Sequence, residues 1–131
     1  FCNEIYQAIC GASRALGYVC APSLFQKMIP NCLGLTADVE KYRENRDLLC
    51  SSLSSYGFEM IRPDGAFYIL IKAPNGNSEE LCERARKHEI LLVPTDSFCL
   101  RGYARLAYCV DYGTCERSLP KFKELAESYG L

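Results

Sequence analysis

The stretch GYARLAYCVDYG, residues 102–113, sets one guanidinium, that of Arg105, among the aromatic, aliphatic and small residues from Tyr103 to Val110. In a β-strand, side chains alternate between faces. Ala104, Leu106 and Tyr108 then take one face, and Tyr103, Arg105, Ala107 and Cys109 the other. A buried guanidinium without a partner costs on the order of several kcal/mol. Three arrangements relieve that cost: an ion pair with an internal Asp or Glu, a reach from the strand end into solvent, or a carboxylate brought by a ligand. The planar fork grips a carboxylate with two parallel hydrogen bonds, which an ammonium cannot copy. Spacing alone leaves the three open.

Other chemistry-bearing groups are weaker candidates. Arg14, between Ala12-Ser13 and Ala15-Leu16, also has apolar neighbours, which favours a structural role. The single histidine, His88, stands beside Arg86, Lys87 and Glu89 and reads as a surface residue. Lysines 27, 41, 87, 121 and 123 fall at exposed helix positions, and Lys72 closes a strand. None reads as a desolvated, activated amine. The sequence has no glycine-rich phosphate loop, and a Ser/His/Asp triad has no support. Nine cysteines (2, 10, 20, 32, 50, 82, 99, 109 and 115) include no C-x-x-C pair, so a metal site is not expected. They fall mostly among apolar neighbours (Ile9-Cys10, Val19-Cys20, Leu49-Cys50, Tyr108-Cys109). This predicts buried thiols acting as small hydrophobes in a reduced, cytoplasmic protein.

The elements that must position these groups fit one domain of ordinary size. The 131 residues are 49% hydrophobic, enough for a sizeable core, and the net charge of -1 is spread along the chain. No basic stripe points to nucleic acid, and no apolar run is long enough to span a membrane. Nothing at the N-terminus has the order of a signal peptide. The start at Phe1-Cys2-Asn3-Glu4 reads as if cut from a longer polypeptide.

Helical spacing of Ile5, Ala8, Ile9 and Ala12 predicts a helix over residues 1–14. A second helix opens at Pro22, carries Leu24, Phe25, Met28 and Ile29, and is expected to end at Pro30. These first thirty residues are unusually apolar and should lie against something large. A third helix is expected to be capped by Thr36, with Asp38 and Glu40 at the positive end of its dipole, to bury Val39, Tyr42, Leu49, Leu53 and Tyr56, and to stop at Gly57. Strands follow at 58–61 and 66–71, joined by a Pro-Asp-Gly turn. Asn77 and Glu80 form a predicted capping box for a helix to about His88. Strands are then expected at 90–93 and from 103, before a last helix that begins near Ser118 or kinks at Pro120. The order predicts an α/β sandwich, a small mixed β-sheet packed with helices.

Three motifs in series resemble one family: RPDGAFYILIKAP (62–74), ILLVPTDSFC (90–99) and GYARLAYCV (102–110). They are similar to the class I/II pyridoxal-phosphate-dependent aminotransferases of the aspartate aminotransferase superfamily, fold type I. SRALGYVCAPSLFQKMI (13–29) resembles the segment that leads into that family's small domain. The resemblance implies that residues 1–131 are the C-terminal small domain of such an enzyme, with 1–33 bridging to its large domain. It implies that Arg105 grips the substrate's α-carboxylate, orienting the Cα–H bond against the cofactor ring. Phe67 would line the pocket, and Arg14 falls near an arginine that some members use for a side-chain carboxylate in the neighbouring subunit.

The resemblance further implies a homodimer, amino acid and 2-oxo acid substrates, and pyridoxal 5'-phosphate in the full-length enzyme. The cofactor lysine, in a Ser-x-x-Lys setting, has no match here. The chain alone is therefore expected to hold no cofactor covalently and to be inactive, with no catalytic residue of its own. Two positions depart from the family pattern, Thr95 and Cys99, each where a glycine is usual, so the loop between them is expected to differ in shape. Two alternatives remain: a non-catalytic ligand- or partner-binding module of the same fold, and a fragment of a lyase or decarboxylase on that scaffold.

Overall fold

The computed structural model describes residues 2–131, which form two compact units, one up to Ala37 and the other Asp38–Leu131. The first holds α1 (Asn3–Ala15) and α2 (Ser23–Cys32). Pro22 stands at the α2 N-cap, as expected, but Pro30 lies inside the helix, which runs on to Cys32. A proline removes one rung of the hydrogen-bond ladder without barring later residues from helical dihedrals. Neither helix buries a residue. Leu16, Tyr18, Leu24, Phe25 and Ile29 are all exposed.

In the second unit α3 (Val39–Ser55) is capped by Asp38, whose carboxylate accepts from the Lys41 N–H, and not by Thr36. Asp38 directly precedes the first turn, and its charge also meets the positive end of the helix dipole. Leu49, Cys50 and Leu53 form the buried stripe together with Asn45, while Val39 stays exposed in the first turn. Gly57 ends the run at φ +93°, a left-handed conformation that glycine adopts without cost.

The strands are β1 (Met60–Ile61), β2 (Tyr68–Lys72), β3 (Val93–Pro94) and β4 (Tyr103–Ala107), in the order β1-β2-β4-β3. The expected α/β sandwich is present, and its sheet is antiparallel at every pairing instead of mixed. The crossover from β2 through α4 (Ser78–Lys87) gives β3 the direction of β2 but leaves a slot between them. β4 returns into that slot and runs against both neighbours. The 90–93 run pairs only from Val93: Ile90 and Leu92 turn into the core, and Leu91 is 78% exposed.

Asn77 caps α4, accepting from the Glu79 and Glu80 N–H groups. The return half of the predicted capping box is not made, because Glu80 bonds Asn75 and Arg84 instead. α5 spans Tyr112–Glu127, starting at Asp111, whose carboxylate accepts from Thr114 N–H, well before Ser118. It continues through Pro120. An interior proline costs about 3 kcal/mol, and this helix offsets that by burying Cys115, Phe122, Leu125 and Ala126.

The core gathers Leu49, Leu53, Ile69, Ile71, Leu81, Phe122 and Leu125, each essentially without exposure. Ile69, Ile71, Ala104 and Leu106 bring one face of the sheet into it. The alternation expected for β4 holds. Ala104, Leu106 and Tyr108 are buried, Tyr103 and Arg105 are half-buried, and Ala107 and Cys109 are exposed. The thiol expectation holds less well. Cys50, Cys82 and Cys115 are buried, but Cys10 is only half-buried and Cys20 and Cys109 are exposed. An apolar neighbour in sequence does not put a residue on the neighbour's face: Cys109 follows buried Tyr108 and therefore points the other way.

Candidate functional site

Arg105 is the central residue of the sheet's outer face. In register it faces Leu70 of β2 and Val93 of β3. Its guanidinium carbon lies 4.3 Å from the centre of the Tyr68 ring and 5.0 Å from that of Phe98. Tyr68 is two residues along β2 from Leu70, on the same face, so Arg105 leans diagonally toward it. No Asp or Glu among the described residues forms a salt bridge with Arg105, so the internal ion pair is not the arrangement adopted. The charge rests on two π faces, an attraction worth about 0.5–2 kcal/mol per ring.

Phe98 is supplied by a single 3-10 turn, Asp96–Phe98. Buried Thr95 pins that turn. Its N–H donates to the Tyr103 carbonyl at 3.0 Å, and its hydroxyl lies 2.6 Å from the Leu100 carbonyl and 2.8 Å from that of Tyr103. The Ser78 hydroxyl donates to Asp96 from the start of α4. Cys99 closes the turn at φ +63°. A thiol-bearing residue thus holds the left-handed conformation that glycine favours.

Phe67 is placed by a second irregular segment. Ala66 is left-handed at φ +64°. The Tyr108 hydroxyl donates to the Ala66 carbonyl at 2.8 Å, and the Tyr108 N–H to the Phe67 carbonyl at 3.0 Å. Burial pushes the Tyr108 phenol above its usual range, which keeps it a donor. The Phe67 ring meets Tyr42 of α3 edge-on, centroids 5.4 Å apart at 73°. From α3 as well, the Asn45 amide donates to the carbonyls of Tyr108 at 3.0 Å and Val110 at 2.7 Å.

Arg105, Tyr68 and Phe98 are thus brought together, and Phe67 is paired with Tyr42. Arg14 belongs to the first unit, in the last turn of α1, and is exposed instead of held among apolar groups. Its alanine and leucine neighbours are exposed too, because α1 buries nothing. His88 is half-buried with Nδ1 3.2 Å from Glu124 Oε2. Sequence reasoning missed Tyr68, Phe98, Tyr42 and Asn45 as parts of this arrangement. Asn45 alone carried a signal, a polar residue four positions before Leu49 on the apolar stripe of α3. The others depend on strand register and on a turn, which spacing does not give.

Among the described residues no lysine stands in the setting that a Schiff base to pyridoxal phosphate needs. A Schiff-base lysine needs a free amine in a desolvated setting. Here Lys72 is paired with Glu59, which raises its ammonium above the ordinary lysine range, and Lys121 is paired with Glu89 and Glu124. Lys27, Lys41, Lys87 and Lys123 are exposed. Among the described residues no group of three His, Cys, Asp or Glu side chains could hold a metal ion, and no helix is long and apolar enough to cross a membrane.

Comparison with known proteins places the chain in a family. Residues 2–122 match the family model "Aminotransferase class I and II". The crystal structure of an amino transferase from Eubacterium rectale superposes with a TM-score of 0.82 at 47% identity, over 98% of this chain and 32% of that one. A probable aspartate/prephenate aminotransferase of Thermus aquaticus is 37% identical over 89 residues, 65% of this chain and 23% of that protein. A mutant aspartate aminotransferase of Thermus thermophilus gives a TM-score of 0.62 at 31% identity, over 66% of this chain and 24% of its own. The chain therefore spans between about a quarter and a third of the proteins it matches.

Proposed function

The chain belongs to the aminotransferase class I and II family, and on that premise we propose that it is the C-terminal, substrate-gripping portion of an enzyme that moves an amino group between an amino acid and a 2-oxo acid. Arg105 is the clamp for the substrate's α-carboxylate. The observation that carries this reading is the state of its guanidinium. It is charged, seated on Tyr68 and Phe98, and its N–H donors are not taken by a carboxylate among the described residues. A ligand carboxylate is the partner that planar fork fits.

Phe67, held edge-on to Tyr42, is assigned to the pocket wall. Arg14, exposed at the end of α1, is assigned to a side-chain carboxylate of substrate in a neighbouring subunit of a homodimer. Pyridoxal phosphate, when bound in the full-length enzyme, supplies the electron sink for the amino transfer. Its lysine, phosphate and ring contacts come from outside these 131 residues, so the chain alone is inactive. The compartment that fits nine free thiols is the cytoplasm.

The test is amino transfer by the intact enzyme carrying Arg105→Ala or Arg105→Lys. Removing one member of a desolvated charge pair costs about 3–5 kcal/mol, so kcat/KM should fall by about 100-fold or more for Arg105→Ala. A loss under about tenfold, roughly 1.4 kcal/mol, would overturn the clamp.

A further inference from the structure

We propose that Tyr68 and Phe98 are positioning residues for Arg105: their rings carry its charge so that its N–H edge stays free for an incoming carboxylate. The inference rests on the clamp reading above and adds to it a device for keeping the clamp open between substrates.

A guanidinium on a partly dehydrated sheet face can be stabilised in two ways. A carboxylate of the same chain would occupy two N–H donors in the plane of the fork, and substrate would have to displace it. An aromatic ring attracts the cation through its π face and accepts none of the in-plane donors. This protein uses the second way twice. Tyr68, the first residue of β2, lies 4.3 Å from the guanidinium carbon, and Phe98, from the 3-10 turn, lies 5.0 Å away. Both rings are substantially exposed in this chain, at 39% and 59%, so they do not fill its core. The turn bearing Phe98 is anchored by buried Thr95 and closed by left-handed Cys99. That anchoring gives the second ring a fixed place. Holding the long side chain in advance reduces the ordering left to be done when substrate arrives, which shows as affinity.

The test uses the intact holoenzyme and 2-methylaspartate, an amino acid with no α-proton, so that binding is read without turnover. Dissociation constants are measured by titration calorimetry for Tyr68→Leu, Phe98→Leu, Tyr68→Phe and Arg105→Ala. Phe98 is also replaced by 4-fluoro- and 3,4,5-trifluorophenylalanine, which keep the ring's shape and weaken its π face. The expected result is a loss of at least threefold for each Leu variant, no such loss for Tyr68→Phe, and affinity falling in step with fluorination. A flat fluorine series overturns the proposal even if a Leu variant folds poorly. Leu variants within threefold of the parent also overturn it. If Arg105→Ala still loses more than tenfold in that case, the clamp survives and only the bracing is wrong. If Arg105→Ala binds like the parent, the clamp reading has failed as well.

Discussion

The Tyr108 hydroxyl on β4's continuation donates to the carbonyl of Ala66, 42 residues earlier, at 2.8 Å. One bond thereby ties the strand of Arg105 to the left-handed residue that sets Phe67. Tyr108→Phe keeps the ring in the core but removes this part-buried bond to exposed Ala66, at a cost of about 0.5–1.5 kcal/mol. Urea unfolding of the chain measures it. A change under about 0.5 kcal/mol would mean that water replaces the hydroxyl without loss.

Ala66 and Cys99 sit at φ +64° and +63°, where an L-residue with a Cβ is strained by about 1–2 kcal/mol. Ala66→Gly and Cys99→Gly relieve that strain and lose about 0.4–1 kcal/mol to the greater freedom of the unfolded chain. Each should be neutral or stabilising by up to about 1.6 kcal/mol. Ala85→Gly in buried α4 is the control and should destabilise, since helix interiors disfavour glycine by about 1 kcal/mol. Thermal melts of the three variants decide the matter, and clear destabilisation at residue 66 or 99 contradicts the strain.

The Arg46 guanidinium, hydrogen-bonded to Asp47 at 2.8 Å, holds the Asp47 carboxyl below the usual carboxylate range, and Arg62 at 2.8 Å adds to the effect. A carboxyl lowered by folding contributes stability that is present above its unfolded pKa of ~4 and is lost as pH falls through the lower folded value. Asp47→Asn should therefore be less stable than the parent at pH 7 and converge with it in acid. Stability curves that stay parallel from neutrality into acid would remove Asp47 from the account.

Burial pushes the Cys50, Cys82 and Cys115 thiols above their usual range, while Cys99 and Cys109 of the same unit are exposed. Thiolate is the reactive form. Mass-resolved labelling with a thiol reagent near pH 8 should modify the exposed Cys2, Cys20, Cys32, Cys99 and Cys109 first and leave the three buried thiols until the chain unfolds. Early labelling of Cys82 would show that the α4 packing opens readily.

Ile5, Ile9, Leu16, Leu24, Phe25 and Ile29 of the first unit are each more than half exposed. So many exposed large apolar side chains in one short unit favour association. The isolated 131-residue chain should self-associate in light scattering, with an apparent mass that rises with concentration. A clean monomer at high concentration contradicts this.

The α/β sandwich was legible because the apolar periods switch cleanly from 3.6 in the α3 segment to 2 in the β4 segment. Arg105 was legible because a lone cation in a β pattern must be answered by something. What answers it was not legible. Tyr68 reaches Arg105 only through the pairing of Leu70 with Arg105, and pairing partners 35 positions apart leave no mark in local spacing. The antiparallel sheet was hidden for the same reason, since strand direction depends on which slot β4 enters. Helix starts were misread where two capping residues competed, Thr36 and Asp38 at α3, and where Pro120 was weighed without the buried stripe that holds α5 together.

Because β4 lies between β2 and β3, the sheet has no middle until the chain has been made through Ala107. Before then, β2 has only the two-residue β1 beside it and β3 has no partner at all. During synthesis the unit must therefore wait, with Ile69, Ile71 and Leu81 still uncovered.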